Sequence, residues 1–406
     1  MFHPHSHLNK HGFFQVGAEC FYSKLDAIHH SMTTGQAVQW NLNNHVYESV
    51  DWLHEPETHI LDLYAQRAHQ LRQKYDYIVV MFSGGSDSTT VLQTFFDNNI
   101  HVDEIQMQHW ISATNDAESF MNAEITNAAW PFLQKHQSHL TKTLIRAVDI
   151  APILRKNILD PDFRIGSMRG VNNVHNLGII SWHHNLHVRH QEYLDCYARG
   201  KSVAFIWGDW KTKIEYDCEL GKHYAFFEDQ YGMAPQPRDQ EANDPNCNHE
   251  QFFDDPSMPE IKVKQAHLLL HTLKQIKHRS DIFFPDSEKQ QIYSGKRGFR
   301  IRHPRVGDAS TFYNGQKWLL DRNAYHAAVY PNWNILTYHE DKQWYRLDHP
   351  SYQWLMDQEP EACKEWYRLF LKTYGTLPDY WKRFYTDDGG LRAKSIRRLK
   401  IRYYVQ

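Results

Sequence analysis

Tyr77-Ile-Val-Val-Met-Phe82 runs directly into Ser83-Gly84-Gly85-Ser86-Asp87-Ser88, and from there into Thr89 to Phe96, where Val91, Leu92, Phe95 and Phe96 fall on one helical face. A short, unbroken, β-branched-rich run is the pattern of a strand covered on both faces of a parallel sheet. The paired glycines permit positive φ and a tight turn, and the change to three- and four-residue spacing starts a helix. Strand, glycine turn and helix are therefore expected in that order.

Upstream, Ile60, Leu61, Leu63, Tyr64, Ala68 and Leu71 predict a helix from Thr58 to Lys74, entered through Glu55-Pro56-Glu57. Downstream, strands are expected at Val102 to His109, Leu144 to Val148 and Val203 to Trp207. A helix from Ala117 to His136 is expected to be interrupted late by Pro131. Strands alternating with helices predict an α/β fold with an open parallel sheet and flanking helices. Residues 1–70 read as an N-terminal extension with a lead-in helix, and 71–238 as the sheet domain. Residues 239–260 carry seven acids and no Lys or Arg, with Pro245, Pro256 and Pro259, which predicts an acidic linker or loop. Residues 261–406 read as a C-terminal α-rich domain with a substrate or accessory role. It has 17 aromatic residues between Tyr330 and Gln406, and a helix from about Pro360 to Tyr374 carries Trp366, Leu369 and Phe370 on one side.

The chain has 406 residues, 41% hydrophobic and 23% charged, enough for more than one packed layer. A formal charge of −3 gives no global pull toward nucleic acid or anionic membrane, so any such binding must be local. No apolar run approaches the roughly 18 residues of a membrane span, and Met1-Phe-His-Pro-His-Ser-His7 is unlike a secretory leader, so a cytoplasmic location is expected. Five scattered cysteines without a Cys-x-x-Cys pair argue against a disulfide framework and against a four-thiolate metal site. His183, His187 and His190 would share a helix face if that run is helical, a spacing able to hold a metal, although no carboxylate completes the set.

The end of a buried strand and the start of a helix focus backbone N–H groups and the helix dipole on one point at the carboxyl edge of the sheet, which favours an oxyanion. Ser83, Ser86, Ser88 and Thr89 add hydroxyl donors. Asp87 alone would repel a phosphate, so its place here argues for Mg²⁺ held against the same phosphates. The Gly-x-x-x-x-Gly-Lys-Ser/Thr loop of kinases and GTPases is absent from this turn.

Ser83-Gly-Gly-Ser-Asp-Ser88 instead resembles the Ser-Gly-Gly-x-Asp-Ser signature of the PP-loop ATP pyrophosphatase superfamily, whose sheet is the adenine-nucleotide α-hydrolase-like (HUP) one. The resemblance spans about Tyr77 to Asp217. It implies ATP and Mg²⁺ as cofactors. Ser83, Gly84, Gly85, Ser86, Asp87, Ser88 and Thr89 would cradle the β- and γ-phosphates, with Asp87 a metal ligand. Adenine would meet Gln106, Met107 and Gln108 at the end of the second strand through backbone contacts. Gly208 and Asp209 would match the family's fourth-strand edge, Asp209 as a second metal ligand, and Lys211 or Lys213 would offset charge on the leaving pyrophosphate.

The implied activity is an adenylate-forming ligase of the asparagine-synthetase-like branch: an acceptor oxygen attacks the α-phosphorus, pyrophosphate leaves, and a nucleophile displaces AMP. Phe2 stands where a glutaminase would need its nucleophilic cysteine, so nitrogen would come as ammonia or from a separate donor. The cysteine patterns of deazaguanine synthases, thiolating tRNA enzymes and sulfonucleotide reductases are missing; a sulfur donor would have to be a separate partner. Arg392, Lys394, Arg397, Arg398, Lys400 and Arg402 in the C-terminal tail lie beside Tyr403 and Tyr404, so a nucleobase acceptor in tRNA, DNA or a free precursor is the alternative. The bland reading of the tail is a terminal strand with a solvated basic face. A nucleotide-binding module without turnover is the third reading. Lys262, Lys264, Arg300 and Arg302 read as surface charge or anion contacts, and Arg169 as a further candidate.

Overall fold

The computed structural model describes residues 12–21, 27, 30–31, 33–115, 122, 125–160, 190–208, 212–217, 220–227, 247–277, 328–329, 354–355, 357–374 and 402–406. Strands β1 (Phe13–Val16), β2 (Glu19–Phe21) and β3 (Val38–Asn41) form an antiparallel sheet in the order β2-β1-β3. A helical turn, α1 (Asn44–Tyr47), precedes α2 (Ile60–Lys74), where His59 accepts the Leu61 N–H as the N-cap. There follow β4 (Tyr77–Met81), α3 (Ser86–Asp97), β5 (Glu104–His109), α4 (Ile111–Thr114), α5 (Trp130–Lys135), β6 (Leu144–Asp149), α6 (Ile150–Leu159), α7 (Gln191–Ala198), β7 (Val203–Trp207), β8 (Lys213–Asp217), β9 (Lys222–Phe226), β10 (Cys247–Gln251), α8 (Glu260–Lys277), α9 (Pro360–Tyr374) and β11 (Tyr403–Val405).

The central sheet has five strands, all parallel, in the order β10-β7-β4-β5-β6. The α/β expectation holds: β4, β5, β6 and β7 fall on the four expected strand positions. The chain lays down β4, β5 and β6 in one direction, then returns to the other side of β4 with β7 and β10. Order therefore reverses between β4 and β7, and a crevice opens at the carboxyl ends of the strands at such a point.

Side-chain alternation divides the sheet's two faces. Ile78, Val80, Phe82, Ala204 and Ile206 join the main core with Leu63, Ala68 and Leu71 of α2 and Val91, Leu92 and Phe95 of α3. Val79, Met81, Val203, Phe205 and Trp207 face the other way, onto Tyr193 and Cys196 of α7. Burial on both faces explains why β4 reads as an unbroken apolar run. Of the helix expected from Ala117 to His136, residues 117–121 and 123–124 lie outside the described residues; from Ile125 a π-turn (Ile125–Ala129) runs directly into α5, and Pro131 lies in the first turn of α5, where the helix changes type.

The acidic stretch 239–260 is not simply a linker. Within it Cys247–Gln251 is the edge strand β10, paired with β7, and Phe252, Phe253 and Asp254 are buried. The C-terminal segment likewise begins inside the same core, because Ile261, Val263, Ala266, Leu269 and Leu270 of α8 pack there. Lys262 and Lys264, expected at the surface, are buried on α8. In the C-terminal tail, β11 pairs antiparallel with β9, and Arg402 lies over the Tyr224 ring at 5.0 Å; residues 375–401 lie outside the described residues. Helix α9 forms as expected, with Ala362 and Cys363 buried.

Arg67 is why acidity misleads in this stretch. It is fully buried on α2, where an unpaired guanidinium would be very costly. Its Nη2 donates to Glu250 Oε2 at 3.1 Å and to the Gln251 carbonyl at 3.3 Å, and its Nη1 pairs with Asp255. Glu250 also takes the Lys74 ammonium at 3.0 Å and the Tyr75 hydroxyl. The Tyr75 phenol is pushed well above its ordinary range by burial, and then by the Glu250 carboxylate. The acids of β10 and the turn after it are thus counter-charges for α2. Arg67→Met, which leaves Glu250 and Asp255 without their partner, is expected to cost about 3–5 kcal/mol in urea unfolding. Adding Glu250→Gln and Asp255→Asn should return part of that loss. Equal stability of wild type and Arg67→Met would refute the charge assignment.

Candidate functional site

The turn after β4 is shaped by two contacts that leave no room for a side chain. Gly84 has φ of +80°, and a β-carbon there would lie 2.5 Å from the Ala129 nitrogen. Gly85 does not share this conformation: with φ −67° and ψ 162° it is extended, and it serves as the N-cap of α3. Both glycines were expected to exploit positive φ, and only Gly84 does. Ser83 and Ser88 Oγ lie 3.2 Å apart, Ser88 Oγ accepts the Ser83 N–H at 3.3 Å, and Ser83 Oγ accepts the Gly85 N–H at 3.2 Å. The serines thus brace the loop. No side-chain hydrogen bond at Gly85 caps α3, so the N–H groups of its first turn are left without a side-chain cap. Ser86, Ser88 and Thr89 are buried, Asp87 is half-buried and Ser83 is exposed.

Gly208 follows β7, the neighbour of β4 across the order reversal, and is buried. A β-carbon on it would sit 2.8 Å from Asp87 C and Ser88 N. The structure therefore brings two of the expected site elements, the turn and the fourth-strand edge, into backbone contact. Beyond Gly208, Thr212 donates its N–H to Gln265 Oε1 at 3.0 Å, and Gln265 Nε2 donates to the Tyr64 hydroxyl at 3.0 Å. Burial raises the Tyr64 phenol, the Gln265 hydrogen bond opposes this, and the Asp87 carboxylate raises it further, so Asp87 stands within electrostatic reach of Tyr64. The Tyr64 hydroxyl itself donates to the Val329 carbonyl at 2.8 Å, and Tyr64 and Gln265 carry no local signal in the sequence because only the packing of α2 and α8 brings them together.

On the other flank, Gln106 of β5 is opposite Met81, and its carbonyl accepts the Phe82 N–H at 2.8 Å. Its backbone also pairs with Arg146 of β6, so at this residue the main chain is committed to the sheet. The side-chain amide is different: both Nε2 and Oε1 are buried without a hydrogen-bond partner among the described residues, as is Gln108 Nε2. Met107 points into the core. Buried amides of this kind call for a water or a ligand.

Asp209 and Lys211 lie outside the described residues, as do His183, His187, Arg169, Arg300 and Arg302. Lys213 is in β8, opposite Phe226 in the sheet β11-β9-β8. One group of residues at the carboxyl edge was not anticipated. Asp149, at the end of β6, accepts the Ser112 N–H at 2.9 Å and the Ala151 N–H at 3.2 Å, and its carboxylate lies 4.0 Å from His109 Nδ1. The His109 ring accepts the Ile111 N–H at 3.2 Å, and burial holds it below the ordinary histidine value against the pull of Asp149. A neutral imidazole thus sits at the end of β5.

Charge on the other face is closed off. Glu104 is fully buried and receives Tyr193 Oη at 2.6 Å, Tyr77 Oη at 3.1 Å and Arg146 Nε at 2.8 Å. The three donors converge on its carboxylate, which ties β5 and β6 to α7.

The two glycine contacts predict a graded response. Gly84→Ala adds left-handed strain and a clash with backbone, and Gly208→Ala a clash between two backbones, so each should cost about 1–3 kcal/mol or more in urea unfolding. Gly85→Ala meets only Ser83 Oγ, at 3.2 Å, and should change stability by less than about 1 kcal/mol. Equal tolerance at all three positions would contradict the packing described.

No family model matches the chain, and no curated protein matches it.

Proposed function

We propose that the chain is an ATP-dependent, adenylate-forming synthetase of the PP-loop class that releases pyrophosphate. The observation that carries this reading is the position of the Ser83–Ser88 turn: it lies where strand order reverses in an all-parallel sheet, at the uncapped start of α3 and against Gly208. Among sites at the edges of α/β sheets, that is where nucleotide phosphates are bound.

The residues fit the ligands this reading needs. The first turn of α3 and the hydroxyls of Ser83, Ser86 and Ser88 suit the β- and γ-phosphates. Asp87 is half-buried beside them, an oxygen donor of the hard kind that Mg²⁺ prefers; the ion, when bound, would neutralise charge on the leaving pyrophosphate. The orphaned Gln106 amide provides one donor and one acceptor for the edge of a bound ligand. Asp209, Lys211 and Lys213 remain assigned by resemblance.

The chain's task is chiefly alignment. An acceptor oxygen, of a carboxylate or carbonyl, attacks the α-phosphorus; the bond from that phosphorus to the bridging oxygen breaks, and pyrophosphate leaves with both electrons. The turn holds the departing group in line, and no side-chain nucleophile is required.

Mg²⁺-ATP should bind the full chain, and candidate acceptors should trigger pyrophosphate release and exchange of labelled pyrophosphate into ATP. Asp87→Ala should lower that rate by about 10²-fold or more while leaving the urea midpoint near wild type. Absence of ATP binding, or full turnover in Asp87→Ala, would sink the proposal. Nucleotide binding without pyrophosphate release, with any acceptor, would identify a module that senses ATP.

A further inference from the structure

We propose that Glu55, His267 and His271 form a binding site for a divalent transition-metal ion of the zinc kind, a clamp between the segment that leads into α2 and helix α8. One ligand atom from each of the three lies within 4.8 Å of the other two. His267 and His271 are four residues apart on α8 and so share a face, while Glu55 reaches them from the loop before α2.

The second-shell geometry is that of a held ligand set. His267 is buried, and its Nε2 lies 3.1 Å from the Trp52 carbonyl; that oxygen can only accept, so the proton sits on Nε2 and the lone pair on Nδ1. A backbone carbonyl on the far nitrogen is the usual partner of a metal-bound imidazole. Lys264, one turn earlier on α8, takes Glu55 Oε1 at 2.7 Å and donates to the Pro56 carbonyl at 2.8 Å, which fixes the carboxylate and leaves Oε2 turned to His271.

The distance between Glu55 Oε2 and His271 Nδ1 excludes a direct hydrogen bond and leaves an ion pair or a shared ion. At 3.6 Å it is too long for the bond. It is close to the roughly 3.4 Å that separates two ligand atoms about 2.1 Å from one tetrahedral zinc. The half-exposed His271 ring is free to close the remaining gap, and its exposed side leaves a position for water. Two imidazoles with one carboxylate select zinc and its transition-metal neighbours over Mg²⁺ or Ca²⁺.

The test uses the full chain, freed of metal by chelation, with Co²⁺ and Zn²⁺ as probes. One equivalent of Co²⁺ should produce visible d–d bands that Zn²⁺ abolishes, and Zn²⁺ should raise the unfolding midpoint. His271→Ala and Glu55→Gln, both at partly exposed positions, should each weaken this binding by at least about tenfold and remove the midpoint shift, with the metal-free midpoint near wild type. If both variants keep wild-type affinity and the wild-type shift, the metal is held by other histidines and the cluster is only an ion-pair network. X-ray absorption of the zinc-loaded chain gives the second reading: a shell of two imidazoles with oxygen supports the site, and a sulfur or all-histidine shell overturns it.

Discussion

Two places where backbone meets backbone set the geometry of this protein. Gly84 lies against Ala129 and Gly208 against Asp87 and Ser88, each closer than any β-carbon would permit. The first lets the chain leave β4 in a left-handed turn under the junction of the π-turn and α5. The second brings the end of β7 to the first turn of α3. Without these contacts the helix would stand off the sheet edge, and the crevice at the order reversal would lose its floor. A close approach of this kind is dictated by sterics, so it is independent of salt and pH, unlike the charge pairs that hold the sheet's margin.

The margin is held differently. Edge strand β10 exposes one ladder and would invite mispairing if it were long and apolar. It is instead short, and its one acid, Glu250, is drawn inward by Arg67 and Lys74 of α2 and by Tyr75, the C-cap of that helix. Asp254 follows the same principle: its buried carboxyl accepts Tyr47 Oη at 2.5 Å, and burial raises it while the nearby Lys262 ammonium pulls it down. Lys262 in turn is brought down to about 8 by burial, opposed by Asp254. Such buried charges are no evidence of net stability, but a mispaired β10 would leave them all uncompensated, so they specify which strand belongs at this edge.

What the sequence made legible was what depends on local pattern. The β4 run, the glycine turn and the four-strand α/β alternation are written in neighbouring residues, and the fold follows them. What it hid depends on partners far away in the chain. Residues 239–260 read as an acidic linker or loop because the counter-charges of Glu250 and Asp255 lie on α2, nearly two hundred residues earlier; Glu250 pairs with Arg67 across 183 positions, and residues 239–246 lie outside the described residues. Lys262 looked like surface charge because nothing adjacent to it announces Asp254 or the Phe227 ring 5.2 Å away. At the carboxyl edge the resemblance supplied Ser83 to Ser88 and Gly208, but not His109 and Asp149, which meet there only through tertiary packing. The two glycines of the motif, identical on paper, differ in φ because only one meets a neighbouring backbone.

Helix α8 ties these strands of argument together, because its faces do different work. Lys262 and Gln265 turn inward. Through Gln265, the helix fixes both the Tyr64 hydroxyl near Asp87 and the Thr212 N–H that ends the segment after Gly208. Lys264, His267 and His271 turn instead toward Glu55 and the Trp52 carbonyl. Trp52 stacks on Tyr403 at 4.6 Å, and Tyr403 belongs to the strand that closes the smaller sheet. The N-terminal lead-in, the C-terminal strand and the loop beyond β7 are therefore all referenced to one rigid rod. An amide that spends both its donor and its acceptor on two different elements has no slack: a shift of α8 along its axis breaks one of the two bonds. The position of Thr212 is thus set by the packing of α8 on α2.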